Sequence, residues 1–311
     1  MTMYPPSDSD LTLADAVGAI RELDLSVHSF GSTDCGKVRK TNEDQFVVAR
    51  ISRAIQLEYS SVPQAQTLFG ERHGHLFMVA DGMGGHSAGE QASALAVVAI
   101  EEFLLNTLKW FFRLSGESIL SEFQEALRTA DTRVFEESAR HPEFKGMGTT
   151  VTMGYSTHDA LYVVHVGDSR AYLFRDGVLR QLTRDHTLVE EMVRGGMLTP
   201  EEAAHNPLRS VITNAVGGAE PGIKVEVHKV SLMPGDVVLF CSDGLTGMVK
   251  DEQIAAVLAG EQNPQIVCEN LLAQANELGG LDNITAIVAR FTTVALSAHA
   301  IRPQAAKGSS S

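Results

Sequence analysis

The stretch Leu76-Phe77-Met78-Val79-Ala80-Asp81-Gly82-Met83-Gly84-Gly85-His86 sets the terms on which the rest of the chain is read. Five consecutive apolar residues read as a buried strand. The run stops at an acid followed by three glycines in four positions, where a backbone can turn sharply or approach an ion closely. Alone, Asp-Gly after a strand is an ordinary turn signal. Its recurrence elsewhere in the chain gives it weight.

At 311 residues, with 44% hydrophobic and 6% aromatic side chains, the sequence supports one large core or two modest ones. A formal net charge of −14 argues against nucleic acid or an anionic membrane as a partner, since either calls for a basic face. It suits a cytoplasmic protein, and a monomer is expected. Cys35, Cys241 and Cys268 are odd in number and widely spaced, implying neither a disulfide framework nor a zinc site. No signal peptide is legible in the acidic first residues. The longest apolar run, 93–112, carries Glu101, Glu102, Asn106 and Lys109 and reads as a core helix, not a membrane span.

The expected organisation is an N-terminal extension over 1–24, one domain over 25–292, and a disordered tail over 293–311. In the extension, Leu11, Leu13, Ala14 and Val17 suggest a short docked helix. Strands are expected at 25–31 and 45–51. The intervening Gly31-Ser32-Thr33-Asp34-Cys35-Gly36-Lys37-Val38 fails the phosphate-loop pattern GxxxxGK[ST] at its last position and leads into a strand instead of a helix. Residues 52–74 read as a hairpin excursion or a mobile insertion.

Ser87-Ala88-Gly89-Glu90 has capping-box spacing, so a long helix should start directly behind Asp81. Ile119, Phe123, Leu127, Ala130 and Val134 mark one face of a second helix over 117–140. Strand character follows at 149–154, 161–166, 170–174 and 178–182, the last two joined by Asp176-Gly177 as a hairpin. Short helical pieces over 184–212, one opening with the cap Thr199-Pro200-Glu201-Glu202, suggest a lid beside a site. Strands at 223–230 and 236–241, helices at 250–259 and 264–278, and a strand at 283–290 complete the pattern.

Acids recur at strand ends: Asp81-Gly82, Asp168-Ser169, Asp243-Gly244 and Asp282-Asn283, with Glu43 and Asp44 before one more strand. If these ends converge, the carboxylates must protonate or bind cations, because like charges repel and desolvation is costly. All-oxygen ligands without a Cys or His cluster favour Mg²⁺ or Mn²⁺ over zinc. Two such ions can generate a nucleophile from water and clamp a phosphoryl group, so metal-assisted phosphoester hydrolysis is the implied chemistry. The cysteines lack the C-x5-R arginine of thiol phosphatases, with Thr41, Gly247 and Gln274 at the required positions.

The ordered set Arg39-x-x-Asn42-Glu43-Asp44, Asp81-Gly82-Met83-Gly84-Gly85-His86, Gly146-Met147-Gly148-Thr149-Thr150, Val166-Gly167-Asp168-Ser169-Arg170, Leu182-Thr183-Arg184-Asp185-His186, Asn214-Ala215-Val216-Gly217, Cys241-Ser242-Asp243-Gly244 and Asp282-Asn283-Ile284-Thr285 resembles the bacterial branch of the metal-dependent PP2C-type (PPM) serine/threonine protein phosphatases. The resemblance implies an α+β fold, a four-layer α-β-β-α sandwich of two antiparallel sheets flanked by helix pairs. It implies two, or with a weaker site three, Mn²⁺ or Mg²⁺ ions. Asp81 would bridge two metals, the Gly82 carbonyl would bind one, Asp243 and Asp282 would complete a shell, Glu43 would act through water, and Asp168 would hold the third ion. Arg39 would grip the substrate phosphate, a task suited to a guanidinium fork. Animal-type members carry a histidine directly after the Asp-Gly; here Met83 stands there, leaving His86 as a candidate acid.

What the resemblance implies is hydrolysis of phosphoserine and phosphothreonine on proteins by a metal-activated water, without a covalent intermediate, on substrates of a Ser/Thr kinase. Two alternatives stay open: an inactive pseudophosphatase serving as a signalling module, and a phosphatase dedicated to an anti-sigma-antagonist regulator.

Overall fold

The computed structural model describes residues 25–56, 67–84, 87–107, 116–218 and 222–293. The expected helix near 11–17, the C-terminal tail and His86 lie outside them.

The chain opens with β1 (Leu25–Asp34), β2 (Asp44–Gln56) and β3 (Thr67–Met83). Helices α1 (Ser87–Thr107) and α2 (Gly116–Arg140) follow. Next come β4 (Gly148–Thr149), β5 (Val151–Thr157), β6 (Ala160–Val166), β7 (Arg170–Arg175) and β8 (Val178–Gln181). Two short helices, α3 (Leu188–Arg194) and α4 (Pro200–Ala204), precede β9 (Val216–Gly217), β10 (Glu226–Ser231) and β11 (Val237–Cys241). The single-turn α5 (Asp243–Thr246), α6 (Asp251–Gly260), α7 (Pro264–Glu277) and β12 (Ile284–Thr293) complete the described elements.

The strands form two antiparallel sheets, one of five strands in the order β1-β12-β11-β7-β8 and one of seven, β10-β6-β5-β3-β4-β9 with β2 also paired to β3. Alternation along β3 explains its unbroken apolar run. Phe77 and Val79 point inward to meet Val238, Phe240, Ile287 and Ala289 of the other sheet. Leu76, Met78 and Ala80 point outward to Ala92, Ala96, Ile100, Phe123 and Leu127 of α1 and α2. The five-stranded sheet is covered likewise, with Leu239, Ala286 and Val288 packed on Ile254, Leu258, Val267 and Leu271 of α6 and α7. Both sheets are buried on two faces, which gives the four layers the family resemblance implied.

The described residues of 52–74 extend the β2 and β3 strands: pairing continues past a bulge between Ser52 and Ala54 to Gln56↔Thr67. The β7–β8 turn has Asp176 and Gly177 at φ of 51° and 81°, the pair of positive values that a two-residue hairpin loop requires. Thr199 caps α4 with the reciprocal Glu202 bond expected from its sequence.

Candidate active site

At one end of the sandwich the strand-end acids come together. β2 and β3 are in register with Asp44 opposite Asp81. Asp81 is held by its backbone: its N–H donates to Thr150 Oγ1 (3.0 Å), and its carbonyl accepts from Thr149 Oγ1 and the Thr150 N–H (both 2.9 Å). Gly82 lies where α1 passes closest, and a Cβ there would sit 2.1 Å from the Gly89 carbonyl oxygen and 2.7 Å from that of Glu43. Close approach, not an unusual φ, makes this position glycine.

Asp243 opens α5 from the other sheet with its carboxyl close enough to that of Asp81 for each to shift the other, a pairing that needs a proton or a cation between two acids. Gly244 lies against the Asn283 carbonyl, 1.9 Å from where its Cβ would be, so β11 and the start of β12 close on each other and bring Asp282 alongside. Arg39 Nη2 donates to Asp282 Oδ2 at 2.6 Å. Asn283 fastens the Arg39 loop: its Nδ2 donates to the carbonyls of Cys35 (3.1 Å) and Thr41 (2.9 Å), and its Oδ1 accepts from the Glu43 N–H (2.8 Å).

Electrostatically the site is overloaded with negative charge. Burial, then the fields of Asp44, Asp243, Asp168 and Asp282, hold the Asp81 carboxyl well above the ordinary range. Asp243 is raised by burial and by Asp282. Asp168, in the β6–β7 turn, is pushed up to about 8 by burial and by Asp243 and Asp185, and its Oδ1 is buried with no partner. Divalent cations would satisfy these groups. The donor set is hard oxygen throughout. Among the described residues no three acid, His or Cys side chains close into a ready-made cage. Mg²⁺ is commonly held by one or two carboxylates and several waters, so this open arrangement fits it.

The structure thus brings together Asp81, Gly82, Asp243, Asp282, Asp168, Glu43 and Arg39. Glu43 is buried, with its carboxylate against Gly89 at the start of α1. The sequence reading assigned no role to Asp44, the neighbouring acid. Asp44 Oδ2 accepts from Ser242 Oγ (2.7 Å) and Thr285 Oγ1 (2.6 Å), while Oδ1 is buried without a partner. Burial lifts its carboxyl to about 7 despite those two donors. Only the β2–β3 register, which sets it opposite Asp81, separates it from Glu43.

Histidines read as structural frame the Asp168 turn. His165 is buried and held to about 4 by burial and by His186, so it stays neutral between Thr152 Oγ1 and the Arg184 carbonyl. His186 Nδ1 accepts from the Gly167 N–H (3.0 Å). The Thr213 N–H donates to the His186 carbonyl and the Leu188 N–H to that of Val211, closing the base of the segment that carries α3 and α4. Arg170 grips Asp185 with Nε and Nη2 beside the same turn.

Comparison with known proteins identifies the family. Residues 65–268 match the family described as Protein phosphatase 2C. The serine/threonine phosphatase stp of Listeria monocytogenes is 31% identical over 262 residues, spanning 84% of this chain and 95% of that protein. The Streptococcus agalactiae serine/threonine phosphatase structure superposes with a TM-score of 0.71 at 31% identity, covering 85% of this chain and 99% of that one. The catalytic domain of the serine/threonine protein phosphatase PstP, solved in complex with two manganese ions, superposes at 0.68 with 33% identity, covering 86% and 99%. With its two stacked antiparallel sheets and the acids gathered at their shared end, the chain belongs to the protein phosphatase 2C family.

Proposed function

We propose that this chain hydrolyses phosphoserine and phosphothreonine esters on proteins, using Mn²⁺ or Mg²⁺ held by Asp81, the Gly82 carbonyl, Asp243 and Asp282, with Glu43 acting through water and Asp168 serving a third ion. The observation that carries this reading is the meeting of Asp81 and Asp243 from opposite sheets among further acids that raise both carboxyls. The chemistry that bound ions supply is activation of water as the nucleophile and neutralisation of charge on phosphoryl oxygens.

The remaining work falls to the chain itself. Arg39 stands at the rim, half exposed, and a phosphate can take the place of Asp282 on its guanidinium. Asp44 fixes Ser242, beside Asp243, and Thr285, three positions after Asp282, and so ties the two strand ends together. None of the three thiols is suited to attack: Cys241 and Cys268 are buried and pushed up to about 12, and Cys35 faces the Arg39 carbonyl. Water is the nucleophile in this proposal, and no covalent intermediate forms. The segment over 184–212 acts as a lid, supported by its closed base beside the Asp168 turn.

Substrates are phosphoproteins, and we infer that a cytoplasmic serine/threonine kinase produces them and that the chain works as a monomer. The free cysteines and the acidic charge support that compartment. A site completed within one chain supports the monomer. Among the described residues no helix is long and apolar enough to cross a membrane.

The test is hydrolysis of a phosphothreonyl peptide with and without Mn²⁺. Turnover should vanish on chelation and in Asp81→Asn and Asp243→Asn. Turnover that persists in chelator or in Asp81→Asn overturns the proposal.

A further inference from the structure

Two loops run side by side at the rim of the site and are clipped together twice. The Lys37 N–H donates to the Gly280 carbonyl at 2.8 Å, and Arg39 Nη2 donates to Asp282 Oδ2 at 2.6 Å. Between the clips each loop has one residue, Val38 and Leu281. Neither turns inward: Val38 is 60% exposed and Leu281 53% exposed. Leu278, just before the Gly279-Gly280 turn, is 53% exposed as well. Large apolar side chains scattered singly on a surface need no explanation. Here two of them sit in the same interval between two clips, each adjacent in sequence to one member of the Arg39–Asp282 pair.

The backbone around them is fixed. A Cβ on Gly36 would lie 2.3 Å from the Asp282 carbonyl oxygen, and one on Gly280 would lie 3.0 Å from the Lys37 amide. The Gly36 amide donates to Asp34 Oδ1, which also accepts from Asn276 Nδ2. The apolar pair is therefore presented on a braced platform, and a partner that docks there loses little to ordering the loops.

We propose that Val38 and Leu281 form the subsite for an apolar residue flanking the phosphorylated serine or threonine of the protein substrate. This rests on the phosphatase reading and adds a substrate class to it. The occupant follows from continuity with the site: a peptide whose phosphate is gripped by Arg39 passes over the residues next to Arg39, since an extended chain advances about 3.3–3.6 Å per residue. A neighbouring leucine or valine on that peptide meets Val38 and Leu281 and removes apolar surface from water on both sides. Lys37, next to Val38, favours an acidic residue further along.

The experiment compares two series of phosphothreonyl peptides, one with glycine at every position within three of the phosphothreonine and one with a single leucine scanned through those positions. The wild-type protein should prefer at least one leucine peptide in kcat/KM by roughly tenfold, carried by KM. In the Val38→Ser/Leu281→Ser double variant the ratio should fall to about one. Val38→Ile/Leu281→Met should keep it. A ratio within one protein cancels any general loss from disturbing Arg39 or Asp282. A wild-type ratio of one at every position overturns the subsite, as does a preference that survives the double serine variant. Association of the wild-type chain into dimers that the serine variant abolishes, without a leucine preference, would assign the patch to a second copy and also overturn it. If no phosphopeptide is hydrolysed by the wild type with Mn²⁺, the phosphatase reading itself has failed, an outcome distinct from hydrolysis of all peptides at a ratio of one.

Discussion

The guanidinium of Arg39 rests 2.6 Å from the carboxylate of Asp282, a contact between residues 243 positions apart that joins the loop before β2 to the entrance of β12. Both side chains reach solvent, Arg39 at 51% and Asp282 at 35% exposure. Ion pairs this exposed contribute about 0–1 kcal/mol, so the bond is inexpensive to exchange for a phosphate dianion. Arg39→Ala should therefore leave thermal stability within about 1 kcal/mol of wild type. It should lower kcat/KM for a phosphopeptide by roughly 10- to 100-fold, the value of a charge-assisted hydrogen bond. Arg39→Lys should recover part of this, because a point charge replaces the fork. Steady-state kinetics on the three proteins decides the matter, and unchanged kcat/KM in Arg39→Ala would remove Arg39 from phosphate binding.

Protons and metal ions should compete for the same oxygens. Asp81 and Asp243 are raised, and Asp168 lies near 8, so each must lose a proton held more tightly than by an ordinary carboxyl before it can act as a ligand. Mn²⁺ affinity should accordingly climb between pH 6 and 8, by up to about tenfold per pH unit for each proton displaced. The weakest site, which we assign to Asp168, should be the last to fill as pH rises. Titration calorimetry in buffers of different ionisation enthalpy reads both the affinity and the protons released. An affinity flat across that range would contradict the assignment.

Asp44 offers two substitutions with opposite stability outcomes. Asp44→Ala removes the acceptor of two buried hydroxyls, Ser242 Oγ and Thr285 Oγ1, and should cost about 2–3 kcal/mol. Asp44→Asn keeps an oxygen for them and deletes a charge that burial already disfavours. Measured in chelator, its melting temperature should match or exceed wild type, while its affinity for Mn²⁺ should fall because a negative charge near Asp81 is gone. Thermal scans with and without metal separate the two effects.

Gly82→Ala places a methyl 2.1 Å from the Gly89 carbonyl oxygen, a backbone atom that yields only if α1 shifts. We expect a loss of about 2–3 kcal/mol, as for other overpacked interiors, together with weaker metal binding as Asp81 moves. Gly177→Ala, in the open β7–β8 turn with nothing near its Cβ, is the control: it should cost only the strain of its positive φ and leave metal binding intact.

Much of this molecule was readable from local pattern. The apolar face of α2, the cap of α4, the Asp176-Gly177 turn and the position, though not the full length, of the long strands follow from periodicity and turn chemistry, which act over a few residues. The placement of an acid at the end of several strands was equally visible. What sequence could not say is which acid of an adjacent pair faces the cleft. Glu43 and Asp44 differ by one position, and in a strand one position reverses the side chain. The Asp44↔Asp81 register of β2 on β3 decides it, sending Asp44 to Ser242 and Thr285 across the gap between the sheets and Glu43 to the start of α1. The Arg39–Asp282 contact, the closure of Gly244 on Asn283 and the alignment of Val38 with Leu281 have the same origin. Each joins segments about 40 or more than 200 residues apart, and the pairing of β12 with β1 and with β11 inside one sheet brings those segments together. The sequence by itself determined the kinds of element and the chemistry of their ends; long-range strand pairing within each sheet, and the packing of one sheet on the other, chose which ends meet.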